Sequence, residues 1–205
     1  MFRLLRTAIL AASFCVSAGA ALAGVITPVS VVASEEFPFW GQYRAVNVIN
    51  GSGLNGDLHD GDFNNMWMTD LGTQAATLTF DLGADYLLSS INIWNYNVDF
   101  GLDRGAREFV LSLSLDGNDY AQVLSATLAQ GNGTLLPAQS FAFSGAARYV
   151  RLDILNNYGD QWSAVGLGEV NFTAVPEPGV LPLLAAGLGL VGLSMRRRTK
   201  RSLHA

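Results

Sequence analysis

Between residues 24 and 175 the apolar side chains recur at every second position, and that period confines the segment to extended structure. Thr77-Leu78-Thr79-Phe80-Asp81-Leu82 alternates polar with apolar residues. Phe109, Leu111, Leu113 and Leu115 share one side, and Ser112, Ser114 and Asp116 the other. Val150, Leu152 and Ile154 alternate with Tyr149, Arg151 and Asp153. Successive side chains of a strand point to opposite faces, so these runs read as half-buried strands, and no window holds a helical stripe of convincing length. Residues 89–96 and 164–174 add two more strands. Asp116-Gly117-Asn118-Asp119 reads as a hairpin turn, and Gly131-Asn132-Gly133 and Ser144-Gly145 mark further turns. The glycine-rich, polar stretch 50–65 reads as an irregular surface loop. The segment has the size of one domain and can bury about 68–70% of its unfolded surface. Many short strands without a repeat or linker imply an all-β, antiparallel β-sandwich, most simply a jelly roll.

Charge narrows the partners. The chain of 205 residues carries a net charge of −5, but seven of its twelve basic residues lie in the end segments. The middle keeps five arginines and no lysine against sixteen acids, a net of −11. An acidic face cannot neutralise phosphates, so nucleic acid is excluded as a partner. Oxygen-rich surfaces suit hard cations or neutral polar ligands.

The two ends read as addresses. Arg3 and Arg6 precede an apolar run from residue 8 to 16 and then Ala21-Leu22-Ala23, the pattern of a signal peptide over 1–23 with cleavage after Ala23. The sole cysteine, Cys15, lies inside it, so the exported domain (residues 24–175) would hold no disulfide. Residues 179–195 are uncharged and followed at once by Arg196-Arg197-Arg198-Thr199-Lys200-Arg201. Seventeen residues make a transmembrane helix about 25 Å long, its arginine cluster held on the cytoplasmic side. Before it stands Pro176-Glu177-Pro178. Pro-Glu-Pro, apolar helix and terminal arginines over 176–201 resemble the PEP-CTERM sorting signal of Gram-negative bacteria. The resemblance implies a precursor anchored in the inner membrane, processed by an exosortase and released to the cell surface or extracellular matrix.

Within the middle segment several words follow one another in a recognisable order. They are Leu78-Thr79-Phe80-Asp81-Leu82-Gly83, Ile91-Asn92-Ile93-Trp94-Asn95-Tyr96-Asn97 and Arg104-Gly105-Ala106-Arg107-Glu108-Phe109. Ala147-Arg148-Tyr149-Val150-Arg151-Leu152, Asn157-Tyr158-Gly159-Asp160 and Val165-Gly166-Leu167-Gly168-Glu169-Val170 complete the series. From about residue 45 to 172 this order resembles the discoidin family, the coagulation-factor-type C domain that overlaps bacterial carbohydrate-binding modules. The resemblance implies an eight-stranded galactose-binding-like jelly roll that binds glycans, lipid head groups or proteins through loops at one end. It also implies a structural calcium ion between an N-terminal loop and a glutamate near the last strand.

For that ion, Asn50 stands where the family has aspartate, and Glu169 matches the closing glutamate. Asn50, Ser52, Asp57 and Glu169 are the candidate side-chain ligands; calcium takes six to eight oxygens, many from the backbone. The alternative is that Asn50 and Ser52 only shape turns and Glu169 lies exposed on a strand. Residues 60–64 are not an EF-hand loop, because Asn65 and Leu71 occupy its glycine and glutamate positions.

A sugar site needs an aromatic platform and planar polar groups. The loop candidates are His59, Tyr96, Asn97, Arg104, Tyr158, Asp160 and Trp162, with Tyr158 and Trp162 expected to be exposed. Trp67 and Trp94 are expected to be buried. Arg104 and Arg107 could instead pair with Asp103 and Glu108. Catalysis is disfavoured: the segment has no cysteine, no lysine and a single histidine, without a Gly-x-Ser-x-Gly elbow. Two readings stay open. One is a non-catalytic module that binds exopolysaccharide or surface glycan. The other is a structural envelope or biofilm matrix protein that makes protein contacts without a sugar pocket. An accessible aromatic beside planar polar groups favours the first, and a flat face with buried tryptophans the second.

Overall fold

The alternating segments form antiparallel strands in the computed structural model, which describes residues 23–39 and 41–175. In chain order they are β1 (Val25–Ile26), β2 (Ser30–Ala33), β3 (Leu54–Asn55), β4 (Leu58–His59), β5 (Trp67–Met68) and β6 (Ala76–Asn95). After these come β7 (Glu108–Ser114), β8 (Ala121–Thr127), β9 (Leu136–Pro137), β10 (Gln139–Ile154) and β11 (Gly166–Ala174). The signal peptide read over 1–23 lies almost wholly outside the described residues. The Pro-Glu-Pro motif, the apolar helix and the arginine cluster lie entirely outside them. Among the described residues no helix is long and apolar enough to cross a membrane.

The main sheet runs β1-β11-β6-β10-β7-β8, with β2 added on β6 and β5 on β11. Its two longest strands, β6 and β10, run through both layers of the sandwich. The first part of β6 pairs with β2 and with residues 149–154 of β10, and its last part pairs with β11 and with residues 139–147. Register shifts in β10 between Ala142 and Gly145 and between Ala147 and Tyr149 mark the crossing. In β6 the crossing begins at Gly83, whose φ of +83° favours glycine and where a Cβ would press on Val29 at 2.9 Å.

The core forms where the layers face each other. Phe80 on β6 meets Phe172 on β11 edge to face at 5.6 Å, and Phe109 on β7 meets Phe141 on β10 at 5.1 Å. Leu78, Ile91, Ile93, Leu111, Val150, Leu152 and Val170 are fully buried around them. Each such side chain contributes about 1.5–3 kcal/mol of hydrophobic free energy.

Three local expectations are corrected. Leu115 does not continue the buried row: β7 ends at Ser114, and Leu115 is exposed in the turn. Ser112 and Ser114 are buried, because β8 and the 116–119 turn cover that side. The stretch 50–65 is also more ordered than a loop. It holds the β3–β4 hairpin, which pairs with β9 in a small second sheet, and a 3-10 turn capped by Asp62.

Close packing at the start of β11 yields a testable consequence. Gly166 pairs with Met68, and a Cβ there would stand 2.6 Å from the Trp67 carbonyl oxygen and overlap the Tyr96 ring. A carbonyl held in a sheet cannot step aside. Gly166→Ala should cost about 2–3 kcal/mol and lower the melting temperature by roughly 5–10 °C. A thermal melt within a degree of the parent would contradict this packing.

Candidate functional site

Where β6 ends at Asn95 and β11 begins at Gly166, five connecting segments gather around an open cleft of about 370 Å³. Phe37, Gln42 and Tyr43 line it from the segment before the first 3-10 turn, and Phe63 from the second. Met68 and Leu71 form its floor and one lip, and Phe100, Arg104 and Trp162 close it from the loops after β6 and before β11. The lining is mostly aromatic. Phe100 is 68% exposed and Trp162 53% exposed, so both rings face solvent.

Tyr43 organises one wall. Its ring packs edge to face on Phe37 at 5.6 Å, tilts on Phe63 at 6.0 Å and stacks over the buried Tyr96 at 6.3 Å. The main chain is tied down by Phe37 N–H donating to the Met68 carbonyl at 2.9 Å and Met68 N–H to the Tyr43 carbonyl at 3.3 Å. Opposite, Gly72 N–H donates to the Trp162 carbonyl at 2.8 Å. Tyr43 at φ +56° and Ser163 at φ +51° are the non-glycine residues held in the left-handed region among the described residues. Both flank this cleft. Backbone held in such sparsely populated conformations clusters where function needs a fixed loop.

Beneath the cleft lies a polar layer. Arg104 Nε donates to Asp160 Oδ1 at 3.5 Å, and Asp160 Oδ2 accepts from Ala164 N–H at 3.0 Å. Burial works against the Arg104 charge, but Tyr96 and Asp160 outweigh it and hold the guanidinium above its ordinary pKa. Burial first, and then the Tyr43 hydroxyl, push the Tyr96 phenol above its ordinary value. The two hydroxyls approach to 3.5 Å.

The structure therefore separates the sequence candidates. Arg104 and Trp162 line the cleft, and Asp160 and Tyr96 support it from below. His59, Tyr96 and Asn97 were expected in accessible loops and are instead fully buried. His59 sits on β4 against Gly53 and Gly168, its Nδ1 bonded to the Asp60 carbonyl at 3.0 Å. Asn97 is a clasp: its Oδ1 accepts from Asn132 N–H and Gly133 N–H at 2.9 Å, and its amide donates to the Thr134 carbonyl. Tyr158 is partly exposed outside the cleft, its hydroxyl donating to the Leu128 carbonyl and Arg107 lying over its ring. Trp67 and Trp94 are buried as expected, their indoles donating to the carbonyls of Glu35 and Asp57. Phe37, Gln42, Tyr43, Phe63 and Phe100 escaped the sequence reading. The aromatic run Phe37-Pro38-Phe39-Trp40 with Tyr43 was the available signal for the first wall.

A second arrangement lies where the loop after the first 3-10 turn meets β11. Glu169 is buried at 2% exposure, and its Oε2 accepts from Gly51 N–H at 3.1 Å. Burial pushes its pKa up to about 8, opposed only by that N–H. The alternative in which Glu169 lies exposed on the strand therefore does not hold. Asn50 Oδ1 accepts from Ser52 N–H at 2.8 Å, which places both residues beside Gly51. Asp57 is exposed on the β3–β4 turn. Among the described residues no three His, Cys, Asp or Glu side chains cluster as a metal site. A cation here would depend on Glu169, the Asn50 and Ser52 oxygens and loop carbonyls. That donor set is all oxygen and fits a hard ion.

The geometry is that of a β-sandwich with a loop-built cleft at one end of its strands. Residues 30–167 match the F5/8 type C domain, and the chain belongs to that family. Residues 174–198 match the PEP-CTERM protein-sorting motif, which marks an exported protein handled by an exosortase and directed to the surface. Among curated proteins none matches the chain. Solved structures share the fold. A family 32 carbohydrate-binding module of a Clostridium perfringens GH89 protein, in complex with GalNAc-β-1,3-galactose, is 19% identical with a TM-score of 0.55. The match covers 70% of this chain and 93% of that one. The family 32 module of Clostridium perfringens NanJ, in complex with galactose, is 18% identical with a TM-score of 0.55, covering 74% and 99%. A chitosan-binding module from a Paenibacillus chitosanase/glucanase is 15% identical with a TM-score of 0.51, covering 72% and 95%.

Proposed function

We propose that the domain is a non-catalytic carbohydrate-binding module that holds exopolysaccharide or surface glycan in the cleft between Tyr43 and Trp162. The carrying observation is Trp162: half exposed, on a loop fixed at both sides, facing an aromatic wall with Arg104 between. A pyranose offers an apolar face that stacks on such rings, while guanidinium and amide groups reach its hydroxyls. The glycan ligands of the similar Clostridium and Paenibacillus modules support the reading. An accessible tryptophan beside a planar polar group favours this reading over the matrix protein without a sugar pocket.

The same proposal includes a structural calcium ion held by Glu169 with Asn50, Ser52 and loop carbonyls. It would supply the positive charge that the buried carboxylate lacks and pin the loop to β11. Asp57 takes no part in this reading. A glycan-array screen of the purified protein, with and without calcium and including the host's exopolysaccharide, tests the function. Selective retention supports it; a folded protein silent on every glycan overturns it in favour of protein contacts.

A further inference from the structure

The main sheet ends at β8, whose outer edge has no strand beside it among the described residues. Pairing with β7 fixes which of its groups are free. Leu128 N–H donates to the Arg107 carbonyl at 2.8 Å, so Ala126 and Leu124 also turn their main-chain groups towards β7. The N–H and C=O of Ser125 and Thr127 therefore point outwards. Their side chains are exposed, whereas Leu124 and Ala126 pack on the core. On the other layer, residues 139–147 of β10 pair with β6 but not with β7, and so form a second free edge. Phe141 and Phe143 there, like Val123 on β8, are only partly buried at the margin of the core. A cavity of about 410 Å³ lies between the two edges, lined by Leu113, Val123, Ala146 and the exposed Leu115.

Proteins guard such edges with charges, prolines or bulges. Neither charge nor proline occurs in β8 or in residues 139–147, and the one bulge, at Val123, leaves 124–127 in regular register. The whole stretch 120–147, which supplies both edges, contains no Asp, Glu, Lys, Arg or His. Residues 24–175 carry a net charge of −11, so two copies repel over their acidic faces and approach at least cost along this side. A two-fold axis normal to the sheet also sets a strand antiparallel to its own copy, the self-complementary arrangement of a closed pair. Both arguments select a second copy of this chain as the occupant.

We infer that the chain forms a closed dimer across β8, with Ala126 of one copy opposite Ala126 of the other. In that register Ser125 of each copy exchanges N–H···O=C bonds with Thr127 of its partner, so both outward-facing residues are engaged. The sheet then continues through the pair, and the apolar margin between β8 and β10 is covered. Since β8 ends beside the start of β7, on the Arg104 side, antiparallel pairing turns the two clefts to opposite ends. Where the clefts hold glycan, the pair bridges two chains; the self-association itself does not rest on that function.

The test is sedimentation velocity of the purified full chain in density-matched detergent over a range of concentrations. The parent should pass from monomer to dimer and stop there. Ser125→Asp/Thr127→Asp sets like charges directly opposite each other across the axis and should raise the dissociation constant about tenfold or more. Ser125→Lys/Thr127→Lys should do the same, and an equimolar mixture of the two variants should recover the dimer. Circular dichroism checks that these exposed-site variants fold. A parent that stays monomeric at about 100 μM, where even a weak pair forms, overturns the inference whatever the variants do. So does a dimer indifferent to both double variants, a mixture that stays monomeric, or a ladder of larger species. Because no sugar enters the experiment, its failure leaves the glycan-binding function standing.

Discussion

Replacing Trp162 with alanine should weaken glycan binding sharply while leaving the fold intact. The ring is more than half exposed, so little packing is lost with it. Its main-chain carbonyl, which accepts the Gly72 N–H, is untouched by the substitution. Stacking one face of a sugar on an indole buries enough apolar area to contribute about 2 kcal/mol, so affinity should fall roughly 30-fold. The melting temperature should stay within about 2 °C, as for a surface substitution. Tyr158→Ala is the counterpart. Its hydroxyl is tied to the Leu128 carbonyl outside the cleft, so the variant should lose stability and keep its glycan. Binding that survives Trp162→Ala but fails in Tyr158→Ala would move the site off the cleft.

Removing calcium should lower the melting temperature steeply at pH 8 and little at pH 5. In the metal-free chain, burial raises the Glu169 pKa from 4.5 to about 8. The folded state then binds a proton that the unfolded state releases. The penalty is absent below the unfolded value, grows as pH rises through the interval, and is complete above the folded value. Such a shift corresponds to a loss on the order of 4 kcal/mol, or about 10 °C for a domain of this size. The proposed calcium ion would give the carboxylate a counter-charge and reverse the trend. Glu169→Gln keeps the shape without the charge, so it should melt higher than the metal-free parent at pH 8 and no longer respond to calcium. Parent melts that coincide with and without chelator at pH 8 would remove the ion from the account and leave the sandwich untouched.

The strands were legible because burial on one face imposes period two, and Leu78, Phe80, Leu82, Phe109, Leu111 and Leu113 obeyed it. The rule failed at Leu115, where a turn ended the strand, and at Ser112 and Ser114, where neighbouring strand and turn covered both faces. The site was less legible. Trp162 and Arg104 could be picked out by type and setting, whereas Asn97 and His59 have ligand-like side chains that the fold spends on its own backbone. Nothing local in the sequence separates a loop amide that lines the cleft, as Gln42 does, from one clasping another loop, as Asn97 does. That distinction is made by long-range packing, which brings residues 37–43 against Met68 and Trp162 against Gly72. Glu169 shows the converse: one strand position, read as buried or exposed only once the 50–52 loop folds over it.

The central claim is that the cleft between Tyr43 and Trp162 is where glycan sits. It is tested most directly by NMR of the labelled protein, saturated with the best glycan from the array. The account predicts that the Trp162 indole N–H, the Gln42 amide and the Arg104 guanidinium signals shift together, while those of Tyr158 and Asn97 hold still. Shifts centred on another face, with the Trp162 indole unmoved at saturation, would contradict it.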